Sequence, residues 1–217
     1  MTAQELKEYK MQIINSDMAL QTQQAIKDML KAWSEKLMLE EERNKKQGFI
    51  RMYNTFIDRP GAAGLFEYLQ DGGFFEAPAS TQYHGSYKGG LVDHSFDVMV
   101  NMMRGAAVHQ YSMESCAIVS LLHDVCKMDC YKAIVNDGKI TYKYEDDFPA
   151  GHGEKSIFII QKFMPLTEEE ILAIRWHMGG FDHAVRGGCR DINKAYDKCK
   201  LAVFLHMADM EATYISK

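Results

Sequence analysis

The sequence predicts an all-α protein that carries one short β-hairpin. Apolar residues recur at helical spacing through most of the chain, for example in FIRMYNTFID from residue 49 and in CAIVSLLHD from residue 116. Only KAIVNDGKITYKYE has the pattern of strands, and the Asp-Gly pair at residues 137–138 is typical of a tight hairpin turn. We therefore expect a helical bundle with a hairpin inserted into it.

Residues 1–47 differ from the rest of the chain and are predicted to form an N-terminal helical extension. They contain neither proline nor glycine. Ser16 or Asp17 would cap a helix here, and NKKQG would end it. Packing of this helix on the domain of residues 48–217 is the preferred interpretation, and a dimerisation helix that forms a homodimer is the alternative. The apolar stripe consists of Ile26, Met29, Leu30, Trp33 and Leu37.

The domain of residues 48–217 is predicted to be a series of helices joined by short loops. Ser112 and Thr167 are good helix caps, and the acidic residues that follow Thr167 suit the positive end of a helix dipole. The predicted helices cover FIRMYNTFID, GLFEYLQ, LVDHSFDVMVNMMRGAAVHQ, the segment from Met113 through CAIVSLLHDVCK, EKSIFIIQKFM, EEEILAIRWH and roughly residues 192–214.

Composition excludes several classes of protein. The formal net charge of -5 argues against a general polyanion binder, and charges interrupt every apolar run before it reaches the length of a membrane span. The start, MTAQELKEYK, lacks the order of a secretory signal. The five cysteines form no CxxC pair, so we expect reduced thiols with a packing role. A cytoplasmic protein without a membrane partner is expected.

Histidines and aspartates recur near the ends of the predicted helices, where side chains from several helices can meet. Apolar neighbours would hold each of them inside the protein. Imidazoles mixed with carboxylates suit divalent Mn, Fe, Co, Ni or Zn better than Mg or Ca, which prefer oxygen ligands alone. A metal ion would also compensate the charge of a buried carboxylate. The six candidate metal ligands are His94, His123, Asp124, His152, His177 and Asp209.

The order of these residues resembles the HD superfamily of metal-dependent phosphohydrolases. GGLVDHS is similar to the first-histidine motif of that family, LLHDVCK to its His-Asp motif with the following lysine, and ADMEA to the segment of its terminal aspartate. YHGSYKGGL, the Gly-His pair of AGHGEKS, and RWHMGG further resemble the branch that contains bacterial 3′-to-5′ exoribonucleases and phosphodiesterases. The resemblance covers residues 83–214 and leaves out the N-terminal helices.

The resemblance implies an HD-type helical bundle and a hydrolase with two divalent metal ions. One ion would be held by His94, His123, Asp124 and Asp209, and the other by His152, His177 and a bridging Asp124. Activated water would then attack a phosphate ester of a nucleotide or short oligonucleotide. Asp124 and Lys127 are the catalytic candidates, and Lys127 would either stabilise charge on the phosphoryl group or neutralise Asp124.

Substrate binding is assigned to residues around these motifs, namely His84, Lys88, Arg175, His183 and Arg186. The cations would contact phosphates, with a solvated surface as an equal alternative, and an exposed loop position is the preferred alternative for both histidines. Four aromatic residues, Phe74, Phe75, Tyr83 and Tyr87, could stack on a base, although packing within their loop is favoured.

The sequence does not determine the type of phosphate ester that is hydrolysed. Both monoester and diester hydrolysis fit the motifs, and the retained His152 and His177 favour the diester because they argue for two metal ions. A catalytically idle nucleotide sensor and a helical interaction module are the alternatives from other classes.

Overall fold

The computed structural model describes residues 44–81, 85–109, 111–136 and 139–215. The predicted N-terminal extension, up to residue 43, and any dimer contact it makes lie outside these residues. Within them, the expected all-α fold with one hairpin is confirmed. The elements are α1 (Lys45–Phe56), α2 (Ala62–Asp71), α3 (Gly90–His109), α4 (Met113–Leu122), β1 (Tyr131–Asn136), β2 (Lys139–Tyr144), α5 (His152–Gln161), α6 (Glu168–Trp176), α7 (His183–Arg186), α8 (Asp191–Lys198) and α9 (Lys200–Tyr214).

Helices α3 and α4 form the centre of the domain. Helix α3 packs against α1, α4 and α9, while α6 packs against α5 and α9. Every residue of α4 from Cys116 to Leu122 is buried, and a helix that is apolar on all sides is stable only inside a protein. The end of α4 therefore delivers the next two residues, His123 and Asp124, into the interior.

Helix caps follow the sequence prediction closely. The hydroxyl of Ser112 accepts a hydrogen bond from the Ser115 N–H at the start of α4. Thr167 and Glu170 form a reciprocal capping box at the start of α6, which satisfies two backbone donors that have no partner within the helix. Each of these caps contributes about 1 kcal/mol to helix stability.

The segment NKKQG starts a helix, so its prediction as a helix end is wrong. The side chain of Asn44 caps α1 by accepting a hydrogen bond from the Gln47 N–H. Gly48 lies inside α1. A larger residue would not fit at this position, because a Cβ atom would come within 2.5 Å of the Phe96 ring on α3. The glycine thus serves close helix packing, and the predicted domain boundary at residue 47 falls within α1. The division into extension and domain stays a prediction.

The single helix predicted for residues 192–214 is divided in two. The backbone of Cys199 is extended (φ −126°, ψ 98°) and separates α8 from α9. The two helices bury their apolar sides against different partners: Ile192 and Ala195 of α8 pack with Trp176, whereas Leu201 and Leu205 of α9 belong to the main core. One straight helix could not serve both surfaces.

Strands β1 and β2 form an antiparallel hairpin that pairs Tyr131 with Tyr144 and Asn136 with Lys139. The predicted turn at residues 137–138 lies outside the described residues. The hairpin follows directly on the short 3-10 helix Val125–Asp129, so it lies beside the end of α4. Among the helices described, none is long and apolar enough to cross a membrane.

Candidate metal centre

Separate helices bring the predicted metal ligands to one region. His94 lies in the second turn of α3, His123 and His177 directly follow α4 and α6, and Asp209 lies in α9. His94, His123 and His177 are at most 5% exposed, and so is Asp124. The ring centroid of His123 lies 5.4 Å from that of His94 and 4.9 Å from that of His177.

Backbone carbonyls fix the two central imidazoles in one orientation. Nδ1 of His123 lies 2.9 Å from the Ser120 carbonyl oxygen, and Nδ1 of His177 lies 2.7 Å from that of Ile174. A carbonyl oxygen can only accept, so Nδ1 carries the proton in both rings. In the neutral form of each ring, Nε2 presents a lone pair to the interior, as in a metal-ligating histidine.

These lone pairs meet no donor in hydrogen-bonding geometry. Nε2 of His123 and Nε2 of His177 are buried without a hydrogen-bond partner, and the same holds for Oδ1 of Asp124. The Asp124 carboxylate nevertheless lies 3.4 Å from each of these nitrogens. Acceptors facing one another in a dry interior are unfavourable unless a cation lies between them. The donor set therefore fits a bound metal ion.

Among the described residues, three groups of side chains have donor atoms within 4.8 Å of one another, which is close enough to share an ion. Asp124 takes part in two of these groups, and so does His123. In addition, Nε2 of His94 lies 3.1 Å from Oδ1 of Asp209. The groups are His94, His123 and Asp124; His123, His177 and Asp209; and Asp124, Cys126 and His152.

Lys127 keeps Asp124 ionised. Burial by itself raises the pKa of this carboxyl, but the Lys127 ammonium, 2.6 Å from Oδ2, opposes burial most strongly and the pKa lies well below its ordinary value. For Asp209, burial is likewise outweighed, mainly by His94, and the pKa is lowered. Both carboxylates are therefore charged at neutral pH and can act as metal ligands.

His152 approaches the cluster from the first residue of α5. The next residue must be glycine, because a Cβ atom on Gly153 would come within 2.6 Å of the Arg175 carbonyl oxygen of α6. Burial lowers the pKa of His152 to about 4, so this ring is neutral at pH 7. It shares a group with Asp124 but not with His177, with which the resemblance had paired it.

A cavity of about 440 Å³ opens beside His152. Cys126 and His152 form the part nearest the metal ligands, and Tyr144 and Phe181 line the wall with about half of each side chain exposed. This volume matches the usual range for small-molecule sites. The cavity is therefore large enough for a small molecule, and its lining includes two members of one ligand group, Cys126 and His152.

The predicted substrate-binding residues differ in their position relative to the cavity. Arg175 lines the cavity, yet its guanidinium contacts Glu154 at 2.7 Å and Asp182 at 2.8 Å, so two carboxylates already balance its charge. His183 also lines the cavity and is exposed. Lys88 and Arg186 are exposed and do not line this cavity. Lys88 forms an ion pair with Glu76. His84 lies outside the described residues.

The favoured packing role of the loop aromatics holds for Phe74 and Phe75. Both are buried and pack against Phe49, which removes them from any substrate. Tyr87 is half exposed and donates a hydrogen bond to Asp93. Tyr83 is outside the described residues. Aromatic surface for a base is instead offered at the cavity by Tyr144 and Phe181.

Cys126 belongs to a ligand group, although the sequence predicts only a packing role for the cysteines. His206 has a structural role beside the same ligands. His206 uses Nδ1 to contact the His177 carbonyl oxygen at 2.6 Å, so it supports the peptide that follows α6. The signal for Cys126 was its place between Asp124 and Lys127 within LLHDVCK, whereas nothing in the sequence pattern links His206 to His177.

No family model matches the chain, and no curated protein or solved structure is similar enough to indicate a relationship. The described residues define a mostly helical domain with buried His, Asp and Cys groups that could hold a metal ion. The function must be inferred from this arrangement and from the motifs of the sequence.

Proposed function

We propose that this chain is a metal-dependent phosphohydrolase that cleaves a phosphate ester of a nucleotide or short oligonucleotide. The observation that carries the proposal is the shared carboxylate: Asp124 belongs to two groups of possible metal ligands, one with His94 and His123 and the other with Cys126 and His152. A carboxylate that bridges two cations is a recurrent feature of hydrolytic two-metal sites. The resemblance of the motifs to HD phosphohydrolases agrees with this assignment.

The donor set supports divalent transition metals rather than Mg or Ca. Four imidazoles accompany two carboxylates, and imidazole nitrogen favours Mn, Fe, Co, Ni or Zn. When bound, such ions supply a water of lowered pKa and positive charge for the phosphate oxygens. We infer two ions per chain, because among the described residues His94 and His152 belong to different ligand groups that have Asp124 in common.

Residues of the chain would orient the metal ligands and hold the substrate. Carbonyls of Ser120 and Ile174 orient His123 and His177, and Lys127 keeps Asp124 ionised. The cavity beside His152 would hold the nucleoside part of the substrate, with Tyr144 and Phe181 available for stacking on a base. Since the charge of Arg175 is already balanced, phosphate recognition falls mainly to the metal ions.

Parallel assays test the proposal. Protein freed of metal and then loaded with Mn²⁺, Zn²⁺ or Ni²⁺ is offered bis(p-nitrophenyl) phosphate, p-nitrophenyl phosphate, mononucleotides and short RNA. We expect about two ions per chain and metal-dependent hydrolysis of at least one ester. Asp124→Asn keeps the shape of the side chain and should abolish turnover. Undiminished hydrolysis by Asp124→Asn would contradict the proposal, whereas metal and nucleotide binding without hydrolysis would identify a sensor.

A further inference from the structure

A thiol lies among the donors on the cavity side of Asp124. Sγ of Cys126 is 3.7 Å from Nδ1 of His152, and both residues share a group with Asp124. Cys126 is only 1% exposed, and Oδ1 of Asp124 is buried without a hydrogen bond. We propose that Cys126 is a thiolate ligand of the second metal ion, together with His152 and Asp124. This inference rests on the proposed two-metal function, because it names a ligand of that same site.

The distance between the two softer donors fits a shared ion. With Zn–S near 2.3 Å and Zn–N near 2.0 Å, the sulfur and nitrogen of a tetrahedral zinc site are about 3.5 Å apart. The observed 3.7 Å between Sγ and Nδ1 is close to this value. An ordinary thiol hydrogen bond has a similar length, and the cobalt experiment described below distinguishes the two.

Local structure holds Cys126 toward α5. The 3-10 helix Val125–Asp129 begins directly after Asp124 and turns Cys126 back to the cavity. The N–H of Cys126 lies 3.3 Å from the Ser156 hydroxyl, which accepts from it. Ser156 is one helical turn beyond His152, so a single face of α5 both anchors the backbone of Cys126 and presents the imidazole.

A thiolate changes which metal the second site selects. Sulfur ligands favour Zn²⁺ and Fe²⁺ over the harder Mn²⁺ and Mg²⁺. The thiol proton is released to solvent when the ion binds. This step changes no oxidation state, so it needs only a reduced, unmodified Cys126. The His94 side of Asp124 offers only nitrogen and oxygen donors. The two sites are therefore expected to differ in metal preference.

Cobalt spectroscopy tests the ligand directly, since Co²⁺ bound to thiolate shows a sulfur-to-metal charge-transfer absorption that nitrogen and oxygen ligands do not give. The full chain loaded with Co²⁺ should show this band. Cys126→Ala should lose it and should bind Zn²⁺ at the second site at least ~100-fold more weakly. Cys130→Ala is the matched control, because Cys130 is equally buried and lines the same cavity.

A second variant covers the case in which Cys126→Ala does not fold. Replacement of the other four cysteines by alanine leaves Cys126 as the only thiol, and the band should persist. Loss of the band there, or its survival in Cys126→Ala, overturns the inference. Wild-type protein that binds two Co²⁺ ions and hydrolyses an ester without the band overturns the thiolate ligand alone. Protein that binds no ion overturns the proposed function as well.

Discussion

The Lys127 ammonium nitrogen lies 2.6 Å from Oδ2 of Asp124, and both side chains are largely removed from solvent. The other carboxylate oxygen, Oδ1, faces Nε2 of His177 at 3.4 Å. One carboxylate thus divides its oxygens between a fixed cation of the chain and the imidazole cluster. Of the two roles considered for Lys127, this contact favours neutralisation of Asp124.

Replacement of Lys127 by methionine should destabilise the metal-free protein by about 3 kcal/mol, because it leaves a buried carboxylate without its counter-charge. Bound metal should restore part of this loss, since an ion can compensate the same charge. Urea unfolding with chelator and with Zn²⁺ measures both values. Lys132→Met, which removes an exposed ion pair with Glu145, should leave the unfolding free energy almost unchanged. Equal destabilisation by Lys127→Met with and without metal would contradict the proposed role.

His177→Gln should weaken metal binding by more than ~100-fold, beyond the usual effect of losing an outer partner of a ligand. The reason is that Nε2 of His177 is a buried lone pair with no other function in the described structure. Metal content after dialysis measures the loss. His183→Gln is the control, because His183 lines the cavity but belongs to no ligand group. A normal metal content in His177→Gln would remove His177 from the ligand set.

The stability of the metal-free protein should fall between pH 6.5 and pH 4 because of His152. The folded-state pKa of about 4 lies below the ordinary 6.5, so the unfolded chain binds the proton more readily in this window. The contribution of His152 is complete above pH 6.5 and is lost as the pH falls toward 4, by at most about 3 kcal/mol. Carboxyl groups with lowered pKa values begin to contribute at about pH 5, in the lower part of this window, so the comparison with a His152 variant is needed to separate the two effects.

Urea unfolding across the same pH range, with chelator present, provides the measurement. His152→Gln should flatten the dependence, whereas His183→Gln, which alters an exposed ring, should leave it unchanged. An identical slope in His152→Gln and the wild type would show that His152 is not held neutral by burial.

A buried ion pair far from the metal ligands should govern stability alone. The guanidinium of Arg59 contacts both oxygens of Glu170, at 2.9 and 3.0 Å, and Glu170 is fully buried. Arg59→Met should cost about 3–5 kcal/mol in unfolding free energy because it strands this carboxylate. Arg186→Met, at an exposed position, should change stability by less than ~0.5 kcal/mol. Metal content per folded chain should stay unchanged in both variants.

The sequence by itself determined the local features of this protein. The helical class, the caps at Ser112 and Thr167 and the pairing of two strands follow from periodicity and from side chains that bond to nearby backbone. The choice of six His and Asp residues likewise came from short motifs, because donor chemistry is a property of each residue type.

Only the tertiary structure decided which segments meet. It placed Gly48 inside α1 against Phe96, broke the last predicted helix at Cys199, and brought Cys126 to His152. These features depend on contacts between residues far apart in the chain, which periodicity does not encode. Asp124 acquires two groups of ligands for the same reason: His94 comes from α3, His152 from α5 and the nearby His177 from the end of α6, and packing of these helices sets their distances.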